Sequence, residues 1–174
     1  YQGKSFTSAR MRTLNKGDWL YGRFDIRAKL PYGQGLWPAI WLLPTDWEYG
    51  GWPMSGEIDI MELLGQEPNK VYGTIHYGAA WPNNQHSGGS YSMPSGTFAE
   101  DYHLFTCEWD STGMRWFVDG VKYHTELHGQ PFDKRFHMIL NVAVGGNWPG
   151  NPTPSTPFPQ RMSVDYVRVY RKAN

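Results

Sequence analysis

Apolar and polar residues alternate along most of this chain, and helical spacing is almost absent. From Trp19 to Leu30 the residues Tyr21, Arg23, Asp25, Arg27 and Lys29 share one parity, while Leu20, Phe24, Ile26, Ala28 and Leu30 share the other. That is the pattern of a half-buried antiparallel strand. Leu36–Pro44 alternates likewise, with Trp37, Ala39 and Trp41 on one face and Leu36, Ile40 and Leu42 on the other. Further strands are predicted at Tyr1–Arg12, Val71–Gly78, Tyr102–Asp110, Phe136–Val144 and Met162–Tyr170, and Met114–His124 reads as a hairpin around Asp119-Gly120. Turn residues predict connections at Pro31–Gly35, Trp47–Ser55 and Gly145–Gly150, and the polar stretch Ala79–Pro94, with its Gly88-Gly89 pair, predicts a mobile loop. Short strands joined this way, over 174 residues, predict one all-β domain spanning 1–174, an antiparallel β-sandwich.

One stretch breaks the rhythm. Gly56-Glu57-Ile58-Asp59-Ile60-Met61-Glu62-Leu63-Leu64-Gly65 holds three carboxylates within six residues. On a helix Glu57 and Glu62 would point about 140° apart and could not serve one site. On a strand Glu57 and Asp59 share a face and Ile58 faces the core, but Glu62 has the wrong parity. A β-bulge at Ile60-Met61 would turn Glu62 back beside the other two. Three carboxylates on one face raise each other's pKa, so one of them holds a proton near neutrality. An ionised carboxylate beside a protonated carboxyl equips a site for retaining glycoside hydrolysis, where the two groups stand about 5–5.5 Å apart. An acidic edge strand without chemistry would carry the same short pattern.

Composition narrows the partner. Sixteen Lys and Arg balance sixteen Asp and Glu, which leaves no basic footprint for nucleic acid or an anionic membrane. No long apolar run or leader-like start occurs, so the chain reads as a soluble, secreted protein in mature form, extracellular or periplasmic. The single Cys107 alternates with Phe105 and Trp109, as a buried thiol would. Nine Trp and eleven Tyr suit a ligand with an apolar face and a hydroxyl rim, as a sugar has. Trp37 and Trp41 form a shelf for such a ligand if they are not core, and Trp52 lies close enough to Glu57 to wall the same site. His76, which shares a parity with Tyr72 and Thr74, has no Ser or Cys nucleophile motif to serve.

Six blocks, YGRFDIRAKLPYGQGLWPAIWLLP, GEIDIMELLG, VYGTIHYG, RWFVDGVKYH, ILNVAVGGNWPG and VDYVRVY, resemble glycoside hydrolase family 16, and within it the bacterial laminarinases. The resemblance implies a jelly-roll sandwich with a concave cleft, endo-hydrolysis of β-1,3-glucan, Glu57 as nucleophile, Asp59 as its helper and Glu62 as acid/base. It implies sugar contacts at Trp37, Trp41 and Trp52, and further contacts at Arg10 and His76. The spacing with Met61 matches the bulged laminarinase type; lichenases have one residue fewer. No cofactor is implied for catalysis, while Asp165 matches one ligand of a structural calcium site whose other ligands lie upstream in the family.

Two other readings accompany this one: a glucan-binding module of the same fold that performs no chemistry, and a sibling specificity for mixed-linked glucan or agar. The chain opens in what reads as mid-sheet, so strands that precede this point in the family are expected to be missing. Exposed strand edges then predict pairing between two copies in a homodimer.

Overall fold

In a computed structural model the described residues, 3–172, form twelve strands: β1 (Arg10–Arg12), β2 (Asp18–Trp19), β3 (Gly22–Lys29), β4 (Leu36–Pro44), β5 (Glu57–Leu63), β6 (Lys70–Gly78), β7 (Asn84–Ser92), β8 (His103–Asp110), β9 (Gly113–Val118), β10 (Val121–Glu126), β11 (Phe136–Val144) and β12 (Ser163–Tyr170). All pairings are antiparallel. One sheet runs β1-β11-β4-β5-β6-β7 with β2 also on β11, and the other runs β10-β9-β8-β3-β12. The two pack as the expected sandwich.

The alternation seen in the sequence is what fills the space between the sheets. Phe24, Ile26 and Ala28 from β3 meet Ile40 and Leu42 from β4, with Phe105, Cys107 and Trp109 from β8 and Trp116 from β9 in the same core. Burying such side chains is worth about 1.5–3 kcal/mol each. Cys107 is fully buried, and desolvation raises its thiol pKa far above the ordinary value, so it is an inert core residue. Aromatic rings bind the layers edgewise: Trp109 meets Tyr21 at 5.2 Å and Phe136 at 5.3 Å between centroids.

Four sequence expectations need correction. The opening strand is three residues long rather than twelve; Phe6 is exposed and stacks on Phe158 at 4.8 Å, and Tyr1, where that strand was to begin, lies outside the described residues. The segment from Trp19 to Leu30 is two strands in different sheets. Tyr21, at φ 66°, and Gly22, at φ 146°, carry the chain from one sheet to the other, a left-handed backbone that glycine adopts without penalty. Asp25, expected on the solvent face of β3, is buried, where it accepts hydrogen bonds from Thr106 and Arg23. Finally, the polar stretch after Ala79 contains the nine-residue edge strand β7. Its glycines mark close packing, not mobility: a Cβ on Gly89 would lie 2.8 Å from the His124 ring of the facing sheet.

Candidate active site

The outer face of the larger sheet is built in rows. One row crosses six strands as Arg10, Asn141, Ala39, Glu62, Tyr72 and Ser90. The next runs Arg12, Ile139, Trp41, Asp59, Thr74 and Gly88, and a third includes Glu57, His76 and His86. Between the first two rows β4 and β6 each advance two residues, from Ala39 to Trp41 and from Tyr72 to Thr74, whereas β5 advances three, from Glu62 to Asp59. The extra residue is the bulge expected at Ile60-Met61. Both Ile60 and Met61 consequently turn into the core, with Ile58 and Leu63, and all three carboxylates share the outer face. Trp116 of the opposite sheet donates its indole N–H to the backbone carbonyl of Asp59 at 2.8 Å, which ties the irregular segment to the core.

Each carboxylate has a different environment. Glu57 Oε2 accepts the indole N–H of Trp52 at 2.6 Å. Glu62 Oε1 accepts that of Trp37 at 2.9 Å. Asp59 is 2% exposed; its Oδ2 lies 3.3 Å from His76 Nε2 but makes no hydrogen bond of good geometry. Burial, and then the Asp59 charge, push Glu57 up to about 8. Burial raises Glu62 to about 7 against the lowering effect of the Trp37 hydrogen bond, with repulsion from Glu57 adding to the rise. Asp59 is also raised well above the usual range, first by burial and then by Glu62. Such a cluster retains protons at neutral pH.

Glu57 and Glu62 open into a cavity of about 660 Å³, walled by Trp37, Trp148 and Tyr72 on one side and Trp52, His76 and His86 on the other. Trp148 meets Trp37 edge-on at 5.4 Å and Tyr72 at 5.0 Å. Its loop is anchored by Gln34 and Gln66, which both donate to the Pro149 carbonyl, at 2.7 and 3.1 Å. The two walls leave an apolar cleft with carboxylates at its floor, dimensions and chemistry that suit a pyranose chain.

The structure therefore brings Glu57, Asp59, Glu62, Trp37, Trp52 and His76 together. Trp41 and Arg10 lie on the same sheet face but outside this cavity; Arg10 sits 4.9 Å over the Trp41 ring, whose N–H bonds Asn141 Oδ1 at 2.7 Å. Asp165 is on β12 of the other sheet, where Arg27 Nη1 holds its carboxylate at 2.7 Å. Sequence reasoning missed Trp148, His86 and Trp116. An unpatterned tryptophan in Gly-Gly-Asn-Trp-Pro-Gly was the one available signal for Trp148, and His86 sits on the strand whose two faces are both too polar to read as one.

The profile described as "Glycosyl hydrolases family 16" matches residues 2–168. The chain belongs to that family. Among family 16 relatives, it is 46% identical to the glucan endo-1,3-beta-glucosidase A1 of Niallia circulans over 96% of this chain and 26% of that protein. It is 45% identical to a beta-glucanase of Rhodothermus marinus, over 98% of this chain and 64% of that one. The chain thus spans less than two thirds of either relative. The laminarinase catalytic domain of Thermotoga maritima superposes with a TM-score of 0.87 at 45% identity, covering 95% of this chain and 69% of that domain. The family 16 fold and the sandwich described above agree.

Proposed function

We propose that this chain cleaves β-1,3-glucan internally, by double displacement with retention of anomeric configuration. The observation that carries the reading is the three-for-two step in β5, which sets Glu57, Asp59 and Glu62 on one face, with Glu57 and Glu62 lining an aromatic cleft and Asp59 buried between them in sequence. The names of the similar proteins support the substrate class. Of the Glu57–Asp59 pair, Asp59 is the member to hold a proton: it is the more deeply buried and lacks a donor at Oδ2, while Glu57 receives the Trp52 N–H. With Asp59 neutral, its repulsion no longer adds to the effect of burial on Glu57, and ionisation of Glu57 becomes easier.

Glu57 then attacks the anomeric carbon as protonated Glu62 gives its proton to the departing glycosidic oxygen. The glycosyl ester removes the Glu57 charge, which is one cause of the raised Glu62 pKa. Glu62 becomes the base that takes a proton from water, and that water releases the sugar from Glu57. No step requires a cofactor, and none is routed through calcium, since the Asp165 carboxylate is engaged by Arg27 and a calcium ion needs six to eight oxygens. Reducing-sugar release from laminarin, lichenan and agarose, with laminarin hydrolysed fastest and with the β-anomer formed first, is the expected result. Binding of laminarin without any release of sugar would favour a glucan-binding module instead.

The finer expectations belong to the same proposal. A polymer substrate goes with an extracellular or periplasmic location, testable by fractionating the native source. Homodimer formation through β12, an edge strand with Val167 and Tyr170 exposed, predicts a mass in light scattering that rises with concentration; a constant monomer mass would exclude it.

A further inference from the structure

The floor of the cleft combines two features that catalysis by carboxylates does not require. Glu57, Asp59 and His76 each offer one ligating atom, and the three atoms lie within 4.8 Å of one another. Independently, Asp59 Oδ2 is buried without a hydrogen-bond partner and faces His76 Nε2 at 3.3 Å, a separation that two donors on one metal ion also have. His86 follows directly, its ring 5.8 Å from that of His76.

We propose that Glu57, Asp59 and His76 form an inhibitory binding site for a borderline-soft divalent metal ion such as Zn²⁺. Two carboxylates and one imidazole are a donor set that zinc accepts at about 2.0–2.2 Å, and three protein ligands leave an open position toward the cleft. The three atoms lie within 4.8 Å of one another, so side-chain rotation must draw them closer for all three to reach one ion. The hard ions Ca²⁺ and Mg²⁺ are disfavoured, because two carboxylates and an imidazole cannot supply their oxygen shells. In the bound state the metal takes the place of the proton that Asp59 holds and gives its unpartnered Oδ2 a ligand to bind. Occupancy ties up the attacking oxygen of Glu57 and blocks the sugar position above it.

The effect on turnover rests on the nucleophile assignment made above, whereas metal binding does not. Calorimetric titration of the metal-free, tag-free protein with Zn²⁺ is therefore paired with laminarin assays at the same concentrations. Expected are one saturable site per chain, absent for Mg²⁺, at least about tenfold weaker in His76→Ala and in Glu57→Gln, and unchanged in Glu126→Gln, which removes a carboxylate of the separate His124–Glu126 pair. His76→Gln serves if the alanine variant fails to fold. Inhibition should compete with laminarin and reverse on chelation. No saturable binding at millimolar Zn²⁺, or binding equally tight in the His76 and Glu57 variants, overturns the site. Binding that depends on Glu57 and His76 yet leaves turnover untouched would keep the site and sink Glu57 as nucleophile.

Discussion

Two indole N–H groups divide the carboxylates between them. Trp52 bonds Glu57 and Trp37 bonds Glu62, and each bond favours the charged form of its acceptor. Replacing Trp52 with Phe keeps a ring but removes the donor, so the Glu57 pKa rises and the acidic limb of kcat/KM moves to higher pH. Trp37→Phe raises the Glu62 pKa, and because Glu62 must be protonated to act, the basic limb moves to higher pH instead. A hydrogen bond to a charged group is worth about 1.5–3 kcal/mol, so each shift should be about one to two pH units. Two pH profiles that move the same limb would refute the division of roles. Glu57→Gln should abolish turnover while laminarin binding and the melting temperature survive, since the amide keeps the shape. At this scale the sequence was informative where chemistry is compact: Glu57, Asp59 and Glu62 are six residues of chain. For Trp148 it offered only an unpatterned tryptophan among turn residues, because its partners Trp37 and Tyr72 are more than seventy positions away.

Strand β5 is the element that turns these residues into a unit, and it does so at a cost. The folded site holds protons that the unfolded chain releases: Glu57 rises from 4.5 to about 8 and Glu62 from 4.5 to about 7. For carboxyls raised on folding, stability is fully present below the unfolded value and is lost as pH climbs through the folded one. The melting temperature should therefore fall between about pH 4.5 and pH 8, and Glu62→Gln should flatten that slope. A melting temperature that climbs over this interval would contradict the buried, protonated cluster. Trp116→Phe tests the bulge itself. It leaves a buried Asp59 carbonyl without its donor, at about 1–3 kcal/mol, measurable by denaturant unfolding. The bulge was legible beforehand because parity demanded it, whereas β7 was not, since Asn84–Ser92 presents polar residues and glycines on both faces and so shows no alternation.

For the molecule as a whole, the sandwich followed from alternation in β3, β4 and β8 together with the apolar run of β11, whose residues Phe136 to Leu140 are buried on both faces. What alternation does not encode is which sheet a strand joins. The left-handed Tyr21-Gly22 step separates two strands that read as one, and only the packing of Trp19 and Phe24, edge-on at 5.6 Å, shows why both halves looked equally amphipathic. Cys107, midway through the core, gives a test of global cohesion: a thiol reagent should label it only at the rate of complete unfolding, so the labelling rate and the unfolding rate from denaturant jumps should coincide. Faster labelling would mean that the sheets part locally.

The bond from Trp52 to Glu57 has a further use. When Glu57 becomes a neutral ester the indole loses a charged acceptor, and when water restores the carboxylate it regains one. Trp52 is 42% exposed, so its emission is open to such changes. A rapid-mixing fluorescence trace in a single turnover should therefore contain a departure and a return, and the two phases would time the making and the breaking of the covalent intermediate without any added dye.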